Sequence, residues 1–222
     1  MDFMQAELTS GSSFTYKLSR FKSIEETPIQ MQAYNKRSGI AGEWKDIPAY
    51  VNVIRLNGDE CLRFRAKPGL TVDQPLSSYF SLAKEDGDAN IKISGNLMKL
   101  VTLDESSDAN KIGENVFAGF FKDWTWMEDA GDAFVGDSET LLEDYAFKEA
   151  FSGCGSLKRA PRIPTYNINY DHIFQDMYSG CNALEEIHWE SGLGPSGSDW
   201  ESWYPGAPRF GAPDSAKVIY DL

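Results

Sequence analysis

Residues 147–157 read Phe147-Lys148-Glu149-Ala150-Phe151-Ser152-Gly153-Cys154-Gly155-Ser156-Leu157, and residues 174–184 repeat the pattern as Phe174-Gln175-Asp176-Met177-Tyr178-Ser179-Gly180-Cys181-Asn182-Ala183-Leu184. Six positions correspond at one offset of 27 residues: two aromatic residues four apart, then Ser, Gly, Cys and Leu. Such a period is typical of stacked repeats, in which each copy buries its apolar face against the next. The sequence therefore predicts a short repeat array, with chance similarity as the alternative.

A third, less regular copy precedes these two. Phe117 and Phe121 precede Phe147 and Phe151 by 30 residues, but Lys122-Asp123-Trp124 replaces Ser-Gly-Cys. We expect this copy to form the first, capping turn of the array. In each copy the aromatic pair is predicted to share one face of a short helical turn. Glycine then ends the turn with a positive φ, and cysteine fills the core.

The residues around these copies give further expectations. The leucine of each copy should begin an extended segment that pairs with its neighbour. Residues 160–164, Ala-Pro-Arg-Ile-Pro, are predicted to turn the chain outward because proline has no N–H to donate. Residues 124–141 are interpreted as an acidic insertion. The acidic run from Glu128 to Asp144 could hold calcium between coils, although a charged exposed loop is favoured.

The first part of the chain has the two-residue alternation of half-buried strands. This alternation is clear in residues 14–18, 29–34, 50–56 and 61–66, and Asn57-Gly58 predicts a hairpin between the last two runs. The predicted fold class is α+β with β structure dominating. It comprises a β-sandwich-like domain over 1–105, repeats over 106–192, and a loop-rich cap with a final strand over 193–222.

Composition excludes several classes of function. The 222 residues carry a net charge of −13, which argues against a nucleic-acid interface. No apolar run approaches the roughly 20 residues of a membrane span, so no membrane insertion is expected. The N-terminus lacks a basic and an apolar region, so no secretory signal is expected either. The three cysteines are predicted to be free thiols, with a bridge between Cys154 and Cys181 as the alternative.

No catalytic, metal or cofactor site is predicted. His172 and His188 lack partners at metal-binding spacing, so core or surface roles are favoured. Residues 85–90 match only part of a calcium loop, and a solvated turn is favoured there.

Loop aromatics are the best candidates for binding, because such rings stack on sugars or anchor a protein partner. The alternative is that they cover the ends of the repeat core. The candidate binding residues are Trp124, Trp126, Trp200, Trp203 and Tyr204.

The repeat aromatic-x-x-x-aromatic-Ser-Gly-Cys-x-x-Leu-x-x-x-Pro resembles the BspA-type leucine-rich repeat of surface and phage-tail-like proteins of Bacteroidales. Residues 42–45, 56–65 and 94–100 are similar to the β-domain that often introduces such repeats, and residues 210–220 to their closing segment. The resemblance implies a non-enzymatic structural or attachment protein. Here, however, only two regular copies are present.

Together with the expected lack of a signal, the resemblance favours a bacteriophage particle component, such as a head or tail fibre or decoration protein, assembled in the bacterial host cytoplasm. Its expected partners are other virion proteins and a host surface glycan. Fibre-like attachment proteins of this kind are often trimers, so a homo-oligomer is also expected. The alternatives are an exported Bacteroidales cell-surface adhesin and a carbohydrate-active enzyme.

Overall fold

The computed structural model describes residues 2–10, 13–20, 27–47, 52–72, 74–103, 111–136, 140–164, 172–190 and 210–221. As the sequence predicts, β structure dominates, with 43% strand and 4% helix. Two short 3-10 helices cover Leu76–Ser78 and Leu97–Leu100. The described strands are β1 (Met4–Ser10), β2 (Ser13–Arg20), β3 (Ile29–Asn35), β4 (Ile40–Ala41), β5 (Lys45–Asp46), β6 (Asn52–Asn57), β7 (Glu60–Ala66), β8 (Phe80–Asp86), β9 (Asn90–Asn96), β10 (Lys111–Ile112), β11 (Met127–Phe134), β12 (Leu141–Leu142), β13 (Ile163–Pro164), β14 (Glu186–Glu190) and β15 (Lys217–Asp221).

The largest sheet has the order β11-β9-β1-β7-β3-β4, and β5 also pairs with β3. Its strands are antiparallel except β11, which runs parallel to β9. Met4 and Ala6 of β1 and Leu62 and Phe64 of β7 are fully buried. Because successive side chains of a strand point to opposite faces, the residues between them point away from this core.

A three-stranded sheet of order β6-β2-β8 contributes to the same core. Phe14 of β2 and Phe80 of β8 are fully buried. The Phe80 ring stacks on Phe64 of the large sheet at a centroid distance of 5.8 Å, and Phe14 lies 4.9 Å from Trp126. Apolar side chains from the two sheets therefore share one interior.

The hairpin predicted at Asn57-Gly58 is wrong. In the described pairing β6 joins β2, whereas β7 joins β1 and β3, so this turn carries the chain from the small sheet into the large one. A type I′ hairpin turn needs positive φ at both central residues, and Gly58 does not have it. Instead, the Glu60 carboxylate accepts hydrogen bonds from the backbone N–H and side-chain amide of Asn57, at 3.1 and 3.0 Å.

Three turn segments, residues 114–123, 144–153 and 172–180, hold the repeated aromatics. The aromatic rings at equivalent positions stack in two ladders. One ladder is Phe117, Phe147 and Phe174, with centroids 4.9 and 6.0 Å apart, and the other is Phe121, Phe151 and Tyr178, with centroids 4.8 and 6.0 Å apart. The predicted stacking of the three copies, including the irregular first one, is confirmed.

The turn segments are not helical, contrary to the prediction. Every fourth residue instead has a positive φ. These residues are Asn115, Gly119 and Asp123 in the first segment, Tyr145, Glu149 and Gly153 in the second, and His172, Asp176 and Gly180 in the third. Since the backbone conformation repeats every four residues, residues i and i+4 share a face, which an α-helix would also bring close together. Aromatic spacing alone therefore fits both conformations.

Backbone N–H groups in these segments alternate between two kinds of acceptor. The N–H of Phe117 donates to the carbonyl of Ala146 in the next segment at 2.9 Å, whereas the N–H of Phe120 donates to Phe117 in its own segment at 3.1 Å. The second segment donates to the third in the same way, from Phe147 to Ile173 at 2.9 Å. Neighbouring segments are thus joined by backbone hydrogen bonds as well as by stacked rings.

The chain after each turn segment enters a parallel ladder. The N–H of Lys158 donates to Glu128 of β11 at 2.9 Å, that of Glu185 donates to Lys158 at 2.8 Å, and that of Lys217 donates to Glu185 at 2.8 Å. β14 and β15 then pair in parallel along their length. The predicted pairing after the repeat leucines and the predicted final strand are confirmed.

Two expectations about this region are wrong. Much of the supposed insertion is strand β11, and two of its acidic residues pair with basic residues that follow the second turn segment: Glu128 Oε1 lies 2.7 Å from Lys158 Nζ, and Asp129 pairs with Arg159. The proline-containing run also stays in the ladder. The N–H groups of Ala160 and Arg162, on either side of Pro161, donate to Glu186 and Ala133, each at 3.0 Å, so the missing proline N–H interrupts little.

The core continues from the sheets into the turn segments. Phe80 of the small sheet lies 5.3 Å from Phe120, and the buried 3-10 helix Leu97–Leu100 belongs to the same interior. The three-part division at residues 105 and 192 stays a prediction. Side chains from the two sides of the boundary at residue 105 pack on each other, as Phe80 and Phe120 do.

Candidate binding surface

The structure places two of the five predicted binding aromatics in the core. Trp124 and Trp126 are 5% and 8% exposed, and their rings stack at a centroid distance of 4.5 Å. They therefore offer no open ring face to a ligand. This corrects their assignment as binding residues and agrees with the alternative, in which they cover the repeat core. Trp200, Trp203 and Tyr204 lie outside the described residues, so their assignment stays a prediction.

The two histidines lie beside neighbouring side chains, and residues 85–90 form a turn. The His172 ring stacks on Tyr145 of the previous turn segment at 5.3 Å, and His188 Nε2 lies 3.3 Å from a Glu186 carboxylate oxygen. Residues 85–90 span the turn between β8 and β9, and Gly87 in that turn has a φ of 109°. Among the described residues, no three His, Cys, Asp or Glu side chains are grouped so that they could hold a metal ion.

The three cysteines are buried free thiols, as predicted. Cys154 Sγ donates to the carbonyl of Phe121, and Cys181 Sγ to that of Phe151, each at 3.0 Å. Each repeat cysteine thus contacts the preceding turn segment. Burial raises the pKa of Cys61 to about 11 and that of Cys181 to about 12, and it also raises the pKa of Cys154. Because the thiolate is the reactive form, these groups are poor nucleophiles at neutral pH.

The outer side of the large sheet carries a cluster that the sequence analysis missed. On β7, Leu62 and Phe64 enter the core, so Arg63 and Arg65 lie on the opposite face. Arg63 stands opposite Gln5 of β1 and Gln32 of β3, and Arg65 stands opposite Gln30 of β3. Polar residues of three neighbouring strands therefore meet in two adjacent rows.

Aromatic rings flank both arginines on this side of the sheet. The Arg63 guanidinium carbon lies 4.3 Å from the centroid of Phe3 and 3.5 Å from that of Tyr34. The guanidinium carbon of Arg65 lies 4.2 Å from the centroid of Trp44, which is 6.2 Å from Phe3. Cations and rings thus interleave across the strands, an attraction that strengthens when the cation is desolvated. We call Phe3, Tyr34, Trp44, Arg63 and Arg65 the arginine face.

Both guanidinium groups donate to neutral glutamine oxygens. Arg63 donates from Nε to Gln5 Oε1 at 2.9 Å and from Nη1 to Gln32 Oε1 at 3.4 Å. Arg65 donates from Nε and Nη2 to Gln30 Oε1, at 3.3 and 3.2 Å. An amide oxygen orients a guanidinium but does not neutralise its charge. The hydrogen bonds therefore hold the two side chains in place without neutralising their charges.

Carboxylates do not pair with these arginines within the described part of the chain, where no Asp or Glu oxygen lies within 4.0 Å of either guanidinium. Burial lowers the pKa of Arg65, and the charge of Asp2 opposes that effect. Arginine nevertheless stays charged at neutral pH. The five side chains of the arginine face are each partly exposed. The result is a localised positive, aromatic surface on a protein of net charge −13.

No protein-family model, curated protein or solved structure matches the chain. Over the described residues, no helix is both long and apolar enough to cross a membrane. Function is therefore inferred from three features of the structure: the stacked turn segments, the parallel ladder and the arginine face.

Proposed function

We propose that this chain is a non-enzymatic structural or attachment protein of a bacteriophage particle, acting by binding another virion protein. In this proposal its first part is a β-sandwich-like domain that docks to the particle. Its turn segments and parallel ladder form a short leucine-rich-repeat solenoid of the BspA type, which faces outward and can contact a host surface glycan. The assembled form would be a homo-oligomer such as a trimer.

The observation that carries the proposal is the stacking of the three turn segments. Equivalent rings lie 4.8–6.0 Å apart in both ladders, and each segment donates backbone hydrogen bonds to the next. This is the packing expected if the repeat that resembles the BspA type forms a small solenoid. Proteins built from such repeats typically act through extended surfaces, which suits attachment and assembly.

The composition of the arginine face supports the proposal that the chain binds another virion protein. Arg, Trp and Tyr are the residue types most enriched among those that dominate binding energy in protein interfaces. Here the two arginines and Tyr34 lie on the neighbouring strands β7 and β3 of the large sheet, and Trp44 lies between β4 and β5, which both pair with β3. A face of this kind, on the first part of the chain, suits docking to a neighbour in the particle.

Mass spectrometry of purified particles from a culture that expresses the chain tests the proposal. We expect the protein at a copy number consistent with a structural component, and labelling by specific antibody on intact particles in electron micrographs. Absence from purified particles would contradict the proposal. Labelling of the bacterial envelope instead would indicate an adhesin, and turnover of a glycan panel that is lost on replacing one carboxylate would indicate an enzyme.

A further inference from the structure

We propose that the arginine face binds an extended acidic segment of a partner protein, with one carboxylate seated at Arg63 and another at Arg65. The inference deepens the proposed function, since it names the surface and the chemistry by which the chain would dock to a virion neighbour. It depends on that function only for the identity of the partner.

The charges of the face indicate an anionic occupant. Two guanidinium groups are held two residues apart on β7 by hydrogen bonds to glutamine oxygens, and no carboxylate oxygen of the described residues lies within 4.0 Å of either. Each guanidinium has five N–H donors, of which the bonds to glutamine use two, so further N–H groups can donate to a ligand. Charge-assisted hydrogen bonds to carboxylates are about twice as strong as neutral ones, so a carboxylate ligand would gain more here than a neutral ligand.

The spacing of the arginines suits a peptide in extended conformation. Residues i and i+2 of a strand lie about 6.4–6.8 Å apart on one face. An acidic segment with Asp or Glu at alternate positions repeats its carboxylates at the same interval, so both can meet a guanidinium at once. The stacking and the glutamine bonds also fix the arginine side chains before binding, which lowers the entropy lost on association.

Two other classes of ligand fit less well. A nucleic acid is held by an extended set of basic residues, whereas the arginine face has two. A sugar that stacks on aromatic residues needs open ring faces, yet Arg63 lies over both Phe3 and Tyr34, and Arg65 lies over Trp44. The face therefore presents mainly cationic N–H groups and ring edges, which suits carboxylates better than sugar rings.

Fluorescence anisotropy with a labelled twelve-residue peptide of alternating Glu and Thr tests the inference directly. We expect the full-length protein to bind it at least about tenfold more tightly than a peptide of alternating Gln and Thr. A peptide of the same composition in the order Glu-Glu-Thr-Thr, repeated three times, has no two Glu residues at positions i and i+2, so it should bind more weakly than the alternating one. Equal binding of the Glu and Gln peptides would overturn the proposal.

The double variant Arg63→Gln/Arg65→Gln should lose at least about tenfold in affinity. Arg55→Gln is the matched control, because Arg55 is exposed on β6 of the small sheet, and we expect its affinity within about twofold of wild type. Circular dichroism and a urea transition establish that each variant is folded. Unchanged binding by the folded double variant would overturn the proposal.

Should the double glutamine variant fail to fold, Arg63→Lys/Arg65→Lys decides the question. It keeps both charges but loses the planar groups, and it should bind at least about threefold more weakly than wild type; unchanged affinity would overturn the proposal. Binding of polygalacturonate, but not of the peptide, through these arginines would also overturn it.

Peptide binding by a protein that is absent from particles would refute only the proposed function, whereas a particle protein that binds no acidic peptide would refute only the inference.

Discussion

Replacing Tyr178 by phenylalanine should stabilise the protein. Tyr178 is the third ring of the ladder that begins with Phe121 and Phe151, and it is fully buried. Its hydroxyl oxygen has no hydrogen-bond partner among the described residues. Burial raises the pKa of this phenol well above its ordinary value, so the group stays neutral. The first two copies have phenylalanine at this position, which carries no buried hydroxyl.

The expected gain can be estimated from the environment of the hydroxyl. An unpaired buried polar group costs about 1–3 kcal/mol relative to one that keeps its hydrogen bonds. Removing the oxygen also loses a few dispersion contacts of about 0.1–0.2 kcal/mol each and leaves a small void. The net effect of Tyr178→Phe should therefore be a gain of about 1 kcal/mol, which for a protein of this size raises Tm by about 2–4 °C.

Urea unfolding followed by intrinsic fluorescence, together with calorimetry, measures this difference. Tyr145→Phe is the matched control, because the Tyr145 ring is partly exposed and its change should be within about 0.5 kcal/mol of zero. Phe151→Tyr places a second hydroxyl in the ladder and should cost about 1–3 kcal/mol. A loss of stability of 1 kcal/mol or more in Tyr178→Phe would refute the reasoning, since it would mean that the hydroxyl is satisfied.

Three further predictions concern other parts of the fold. Gly87→Ala should cost at least about 2 kcal/mol by thermal unfolding, because φ is 109° and the new Cβ would lie 2.5 Å from the backbone oxygen of Ser13, whereas Gly58→Ala, with open space around it, should change stability by under about 0.5 kcal/mol. Burial alone would raise the pKa of Glu7, but two neighbouring lysines outweigh it and lower the pKa below 4.5. The resulting stabilisation is present above that pH and is lost as pH falls through the folded value, so urea titrations at pH 6 and 3.5 should differ less in Glu7→Gln than in wild type. Cys154 and the other thiols should react with iodoacetamide at pH 8 at least about a hundredfold more slowly than in the urea-unfolded chain, as followed by mass spectrometry. Similar rates in the two states would contradict their burial.

The repeat sequence predicted which residues stack but not the backbone that stacks them. Aromatic residues four apart share a face both in an α-helix and in a conformation that repeats every four residues. A clue was present in the first copy, where Asn115, Gly119 and Asp123 occupy the positive-φ positions, since these residue types tolerate that region best. Tyr145 and Glu149 at the equivalent positions of the second copy obscure the pattern.

Strand pairing between distant residues decides both why Trp126 is buried and why the arginine face forms, so the sequence analysis missed both. Trp126 is buried because β11 joins β9, a pairing between distant residues that an acidic run such as 127–134 does not suggest. The run 61–66 was recognised as a strand, and its alternation places Arg63 and Arg65 on the polar face. Arg63 meets Tyr34 of β3 and Phe3, which directly precedes β1. Arg65 meets Trp44, which directly precedes β5. These contacts follow from the order of β1, β7 and β3 and from the pairing of β5 with β3, which no local pattern specifies.

The alternating acceptors of the turn segments restrict how related chains can change in length. Every second N–H of a turn segment donates to a carbonyl of the following segment. In the third segment the N–H of Tyr178 donates to the carbonyl of Phe210 at 2.9 Å. Deleting part of a segment would leave buried N–H donors without acceptors. It would also move the residues with positive φ out of register with those of the neighbouring segment. Whole units of 27 to 30 residues can be gained or lost with every donor still matched, so variation among homologues should come in such units.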